Sequence, residues 1–166
     1  MTMYVMIKKE RVDETMEHAT KAAELFLSGY NCAQAVAVAF CDVTGLDEKF
    51  AARYASAFGG GMGRLREVCG AVSGMFMVLG HLYGYDDPNA DVEKKVLYQQ
   101  VQELAAQFKA QMGSILCREL LDNPPSDPIP SPRTMKYYTE RPCAGFVALA
   151  AELMDAFIAQ HPLENG

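Results

Sequence analysis

Five cysteines are the residues of this 166-residue chain best suited to chemistry: Cys32, Cys41, Cys69, Cys117 and Cys143. No two stand as CxxC, so the spacings of zinc fingers, zinc ribbons and thioredoxin-like sites are absent. Taken alone, the five fit buried small hydrophobes. Their flanks point further. Cys32 opens a helix after Gly29-Tyr30-Asn31, and Cys143 follows Pro142 just before another helix. Helix N-termini favour thiolate. Cys69 is followed by Gly70, Ala71 and Gly74, which leave one helix face almost without side chains. Arginines recur nearby: Arg64 and Arg66 before Cys69, Arg118 after Cys117, Arg141 before Cys143. Such charge lowers a thiol pKa and offsets a metal–thiolate cluster, although the same arginines also fit a solvated surface. Cys41 lies nine residues after Cys32, about 180° around a continuous helix. The expected site is therefore four residues, Cys32, Cys69, Cys117 and Cys143, with Cys41 a buried spare.

Three kinds of chemistry remain open. Four thiolates suit an iron–sulfur cluster or another thiolate-bound metal such as tetrahedral zinc. In that case Gly70 and Gly74 would admit backbone close to the centre. Gly60 and Gly61, in FGGGMG, would offer it amide N–H groups, as backbone nests do for anions. Alternatively, two cysteine pairs would cycle between dithiol and disulfide, with Cys69 or Cys32 attacking. Third, the cysteines would be core residues of a non-redox helical module serving a transporter or delivering metal. Catalytic residues other than these thiols are not identifiable, and whether the chain is an enzyme stays open. His18, His81 and His161 are scattered, and Met62, Met75 and Met77 read as core filler. Walker, GxSxG and HExxH motifs and paired catalytic carboxylates are absent, and the glycine cluster lacks the strand–turn–helix setting of a dinucleotide site.

The elements that must position the thiols read as helices almost throughout. Val12, Met16, Ala19, Ala23 and Phe26 form one apolar stripe, ending at Ser28-Gly29. Asn31 suits an N-cap for a helix running from Cys32 to about Cys41; its AVAVAF alternation also fits a strand, but its alanines and flanks favour helix. Gly45 ends it. Asp47 caps a third helix through Phe58, and the glycine cluster follows as a turn. A fourth helix is expected over Arg64 to Leu82. Asp91 caps a fifth, with Leu97, Val101, Leu104, Phe108 and Met112 inward. Gly113 breaks it, and Ser114 restarts a short helix carrying Cys117, Leu120 and Leu121. Five of the eight prolines lie between Pro124 and Pro132, which favours an extended crossover arm. Tyr137 and Tyr138, with Arg133, Lys136 and Arg141, read as a docking patch for that arm. A last helix spans about Ala144 to Gln160. With no repeat and no evident boundary, residues 1–166 read as one compact all-α domain with a Pro-rich crossover loop.

Half the residues are hydrophobic and 22% are charged, a composition that excludes a mainly disordered chain. The net charge of -6 argues against a nucleic-acid partner and against a polybasic membrane-surface protein. The longest uncharged stretch, Val68 to Tyr85, carries several glycines and is short of the ~20 apolar residues of a membrane span, so no membrane insertion is expected. Early charges at Lys8 and Glu10 do not suit a secretory signal. The expected location is the cytoplasm, where thiols stay reduced. The apolar excess and the long fifth helix permit a homodimer.

The segments GYNCAQAV (Gly29–Val36), FGGGMG (Phe58–Gly63), CGAVSG (Cys69–Gly74), ILCREL around Cys117 and RPCAGFV around Cys143 together resemble the redox-active C_GCAxxG_C_C family. The resemblance covers about residues 18–157, and Cys41 lies outside its pattern. It implies a small helical redox protein with a redox partner or a transporter-associated one. The chain is also similar to the iron–sulfur-bearing part of split-Soret cytochromes c, which implies a [2Fe-2S] centre on the four patterned cysteines. Those cytochromes carry CxxCH, and this chain does not, so haem is not implied.

Overall fold

The computed structural model describes residues 17–164. The part of the first apolar stripe carried by Val12 and Met16 lies outside them. The described chain is all-α. In order it comprises α1 (17–27), α2 (Cys32–Ala39), α3 (Cys41–Thr44), α4 (Glu48–Ala55) with a 3-10 turn over Ser56–Phe58, and a single turn α5 (Gly59–Met62). Then follow α6 (Gly70–Tyr83), α7 (Asp91–Met112), α8 (Cys117–Leu120), α9 (Met135–Glu140) and α10 (Cys143–Gln160). No strand is present among these residues. An isolated antiparallel bridge pairs Val68 with Leu116.

Helices α2, α6 and α10 pack against one another and form the centre. Each is apolar on most sides, as buried helices must be. Val36, Met75, Leu79, Val147 and Met154 are fully buried there, with Phe26, Phe40, Leu104 and Phe108 arriving from the elements around them. Burying side chains of this size contributes ~1.5–3 kcal/mol each. By length and composition α10 is apolar enough to cross a membrane, with mean hydropathy 1.5 over 18 residues, and 56% of that stretch is buried inside the protein.

The caps follow the sequence in two places and depart from it in others. Asn31 caps α2: its side chain accepts from the Gln34 N–H, while Gln34 accepts from the Asn31 N–H, a capping box. The same two side chains donate to Ser56 O and Ala52 O, both at 3.0 Å, and tie α2 to α4. Asp47 caps α4 by accepting from Phe50 N–H. Asp91, however, is the first residue of α7 rather than its cap, which is Ala90 without a side-chain bond. The second helix breaks at Phe40, so Cys41 begins the separate α3. The third stops at Ala55 in favour of the 3-10 turn.

The largest difference concerns residues 64–69, expected as helix. They are not helical: the chain turns at residues 63–65 and runs irregularly to the bridge at Val68, and α6 starts only at Gly70. Arg64 and Arg66 sit at φ 67° and 61°, a left-handed geometry that stops helix propagation. Backbone bonds made elsewhere replace the helical ones: Glu67 N–H to Gly61 O (2.9 Å), Cys69 N–H to Ile115 O (2.7 Å) and Cys117 N–H to Glu67 O (2.7 Å). Likewise the short helix begins at Cys117, not at Ser114.

His18 holds three helices together. Its Nδ1 lies 2.8 Å from Asp155 Oδ1 on α10, its Nε2 lies 3.0 Å from Asp42 Oδ2 on α3, and its ring stacks on Phe40. Burial pulls the imidazolium down, but the two carboxylates outweigh it and hold its pKa above 6.5. The folded state therefore binds this proton more tightly than the unfolded chain. The resulting stability is fully present below the unfolded value and is lost as pH rises through the raised folded one. The denaturant midpoint should fall as pH rises from about 6.5 through the raised folded value, and His18→Gln should flatten that fall; an unchanged slope in the variant would contradict the clamp.

Close approach of α2 and α6 depends on Gly74. A Cβ there would meet Ala33 O at 2.8 Å and Val36 Cβ at 3.0 Å, whereas one at Gly145 in α10 would meet nothing within 4 Å. Gly74→Ala should cost about 1–3 kcal/mol through overpacking. Gly145→Ala should be neutral or stabilise by up to ~1 kcal/mol. Chemical denaturation of both variants checks the contrast, and equal effects would contradict it.

Candidate redox site

All four patterned cysteines stand where a helix starts. Cys32, Cys117 and Cys143 are the first residues of α2, α8 and α10, and Cys69 is the N-cap of α6. Two of these placements were legible in the sequence. Those of Cys69 and Cys117 come from the unexpected non-helical segment 64–69. The Val68–Leu116 bridge sets these two cysteines on neighbouring strands of chain, each one residue beyond the bridged pair.

The four thiols line one cavity of about 50 Å³, together with Gly60, Gly61, Gly70 and Arg66. One water needs roughly 10–15 Å³, so a small group fits. Cys69, Cys117 and Cys143 are buried and Cys32 is half-buried. Gly70 backs directly onto Cys32, whose Cβ lies 3.0 Å from where a Gly70 Cβ would stand. Gly61, at φ 69°, presses against Cys117: a Cβ there would fall 2.6 Å from Cys117 Cβ. Gly60 and Gly61 are thus at the site, as is Gly70. Gly74 is not among the residues lining the cavity; it serves the α2–α6 contact instead. Cys41 is remote, packed with Val38 and Ala51, its thiol directed at Ala37 O.

Burial dominates the electrostatics. It pushes the Cys69 thiol up to about 12, against the pull of the Ala71 and Val72 amides at the start of α6. Cys32 and Cys143 act on each other. Cys143 is held below the ordinary thiol value by the Cys32 thiol and then by Arg141, Arg133 and Arg66, while Cys32 is held well above it by Cys143 and by burial.

The arginines divide in a way the sequence did not reveal. Arg66 is 4% exposed and directs Nη1 at Cys117 Sγ, 3.6 Å away. Its Nε donates to Pro125 O at 2.9 Å, and Arg64 Nε donates to Asp127 O at 2.6 Å. These two arginines hold the proline arm beside the cavity mouth. Arg118 instead pairs with Glu67 at the surface. On the patch, Tyr137, Arg133 and Arg141 line one space together with Pro130 and Ser131 of the arm. Arg133 lies over the rings of Phe26, Tyr137 and Tyr138 and donates to Phe26 O and Tyr30 O, while Lys136 pairs with Glu140.

Among the described residues, no group of three or more His, Cys, Asp or Glu side chains is arranged to hold a single metal ion. The thiols share a cavity without forming a closed cage. All five cysteines are free, not disulfide-bonded.

No curated protein and no solved structure matches the chain. The sequence pattern of the family described as "Putative redox-active protein (C_GCAxxG_C_C)" matches residues 30–157. That span begins just before Cys32, ends inside α10, and contains all four thiols that meet in the cavity. With most of its length matched, and with the patterned cysteines meeting in space while Cys41 stays apart, the chain belongs to the C_GCAxxG_C_C family of redox-active proteins.

Proposed function

We propose that the four-cysteine cavity holds an iron–sulfur centre of the [2Fe-2S] type, through which the protein passes electrons or senses redox state in the cytoplasm. The supporting observation is the convergence of Cys32, Cys69, Cys117 and Cys143 on one cavity. By donor type the residues fit, because four thiols are the ordinary ligand set of such centres. When bound, the group supplies one-electron transfer.

The protein's own residues supply the rest. Helix N-termini and the Arg66 guanidinium oppose the negative charge that four thiolates would bring into a buried space. Gly61 and Gly70 keep the backbone close to Cys117 and Cys32. Because burial holds Cys69 near 12, ligation must release its proton, and loading should strengthen with rising pH. A redox protein or a transporter-associated protein is the proposed partner.

A second proposal has one specific observation in its favour. Cys32 and Cys143 line the same cavity, and the Cys32 thiol holds Cys143 below the ordinary thiol value. The Cys143 thiolate would attack a disulfide of a partner protein and release one partner thiol; Cys32 would then resolve the mixed disulfide, leaving a Cys32–Cys143 disulfide and a partner reduced to its dithiol.

Iron and acid-labile sulfide per chain, measured after anaerobic purification, separate the two. The centre predicts matching iron and sulfide with a visible spectrum, abolished in Cys69→Ala and retained in Cys41→Ala. Absence of both after reconstitution would overturn it. A Cys32–Cys143 disulfide on mild oxidation of metal-free protein would then favour the thiol cycle.

A further inference from the structure

Beside the thiol cavity lies a second chamber of about 190 Å³, to which Arg64, Arg66, Arg133 and Arg141 all contribute, with Ser131 and Tyr137. No carboxylate lines it. The chain as a whole carries a net charge of -6, so four guanidiniums around one small space are a local reversal of sign. We propose that this chamber is a binding site for a small tetrahedral oxyanion, of phosphate or sulfate size, immediately outside the thiols.

The arginines are not all used up by the fold. Arg64 is the most committed: it meets the Asp127 carboxylate at 3.6 Å and donates to Asp127 O and Ser131 Oγ. Arg133 is engaged by Phe26 O, Tyr30 O and three aromatic rings. Arg141 lies over the Tyr137 ring. Arg66 is decisive. It is 4% exposed, yet its Nη2 has no hydrogen-bond partner among the described residues. A buried ionised donor left without an acceptor is costly, and a guanidinium's N–H groups match the oxygens of an oxyanion. Arg66 also belongs to both spaces: it lines the chamber and directs Nη1 at Cys117 Sγ. An anion bound there would draw on the same positive charge that faces the thiols.

This site does not rest on the nature of the redox centre, so the two can fail separately. The test is isothermal titration of the full-length protein with inorganic phosphate, sulfate and glycerol phosphate, each at fixed ionic strength in chloride. Saturable binding near one per chain, with Arg141→Gln weakening it about tenfold, the equivalent of one charge-assisted hydrogen bond, supports the site. Tighter binding of glycerol phosphate would identify a phosphoryl group on a larger molecule; tighter binding of inorganic phosphate would identify the free ion. Arg66→Gln should weaken binding further, and circular dichroism distinguishes this from unfolding. Arg141→Gln lies outside the Arg66–Pro125 tether of the arm, so it keeps the test valid if Arg66→Gln fails to fold. Absence of saturation, or affinities unchanged in Arg141→Gln, would overturn the proposal. Iron and sulfide content, measured on the same samples, reports on the redox centre independently.

Discussion

Everything at the site depends on how closely α6 is allowed to approach α2. Gly70 stands against Cys32 and Ala33, and Gly74 against Ala33 and Val36, at distances that leave no room for a side chain. Ordinary helix pairs lie 8–10 Å apart according to the side chains between them, and glycine permits the near limit. Separate these helices by one methyl layer and Cys32 moves away from Cys69. The remaining two cysteines are brought in from the other direction, Cys117 by its pairing across the Val68–Leu116 bridge and Cys143 by the packing of α10 on α2 and α6.

That arrangement carries an electrostatic consequence. Thiols in a dry interior stay protonated, as Cys69 shows, and become useful only where something opposes the charge of a thiolate. Helix starts oppose it locally, and the buried Arg66 opposes it directly at Cys117. The guanidinium in turn needs partners, and the proline arm gives it one through Pro125 O. The arm is thus part of the electrostatics of the site as well as a crossover, because it fixes Arg66 beside the thiols.

Much of this was legible in sequence. Asn31 and Asp47 announce their caps through local chemistry, and the nine-residue offset of Cys41 separates it from Cys32 without any structure. The conversion of residues 64–69 from expected helix to irregular, turned chain was not legible. It rests on backbone bonds to Gly61 and to residues 115–117, far along the chain, and on left-handed arginines that no propensity favours. The role of His18 was hidden for the same reason, since Asp42 and Asp155 lie 24 and 137 residues away. Periodicity also could not tell Arg66 from Arg118. One enters the cavity and the other pairs with Glu67 at the surface, and only the path of the chain decides which.

X-ray absorption at the iron edge of anaerobically purified protein tests the central claim most directly. Four cysteines meeting in one cavity predict iron surrounded by sulfur alone, with a second iron as a resolved neighbouring scatterer. Iron ligated by nitrogen or oxygen, or a single metal with no metal neighbour, would contradict a polynuclear centre held by Cys32, Cys69, Cys117 and Cys143.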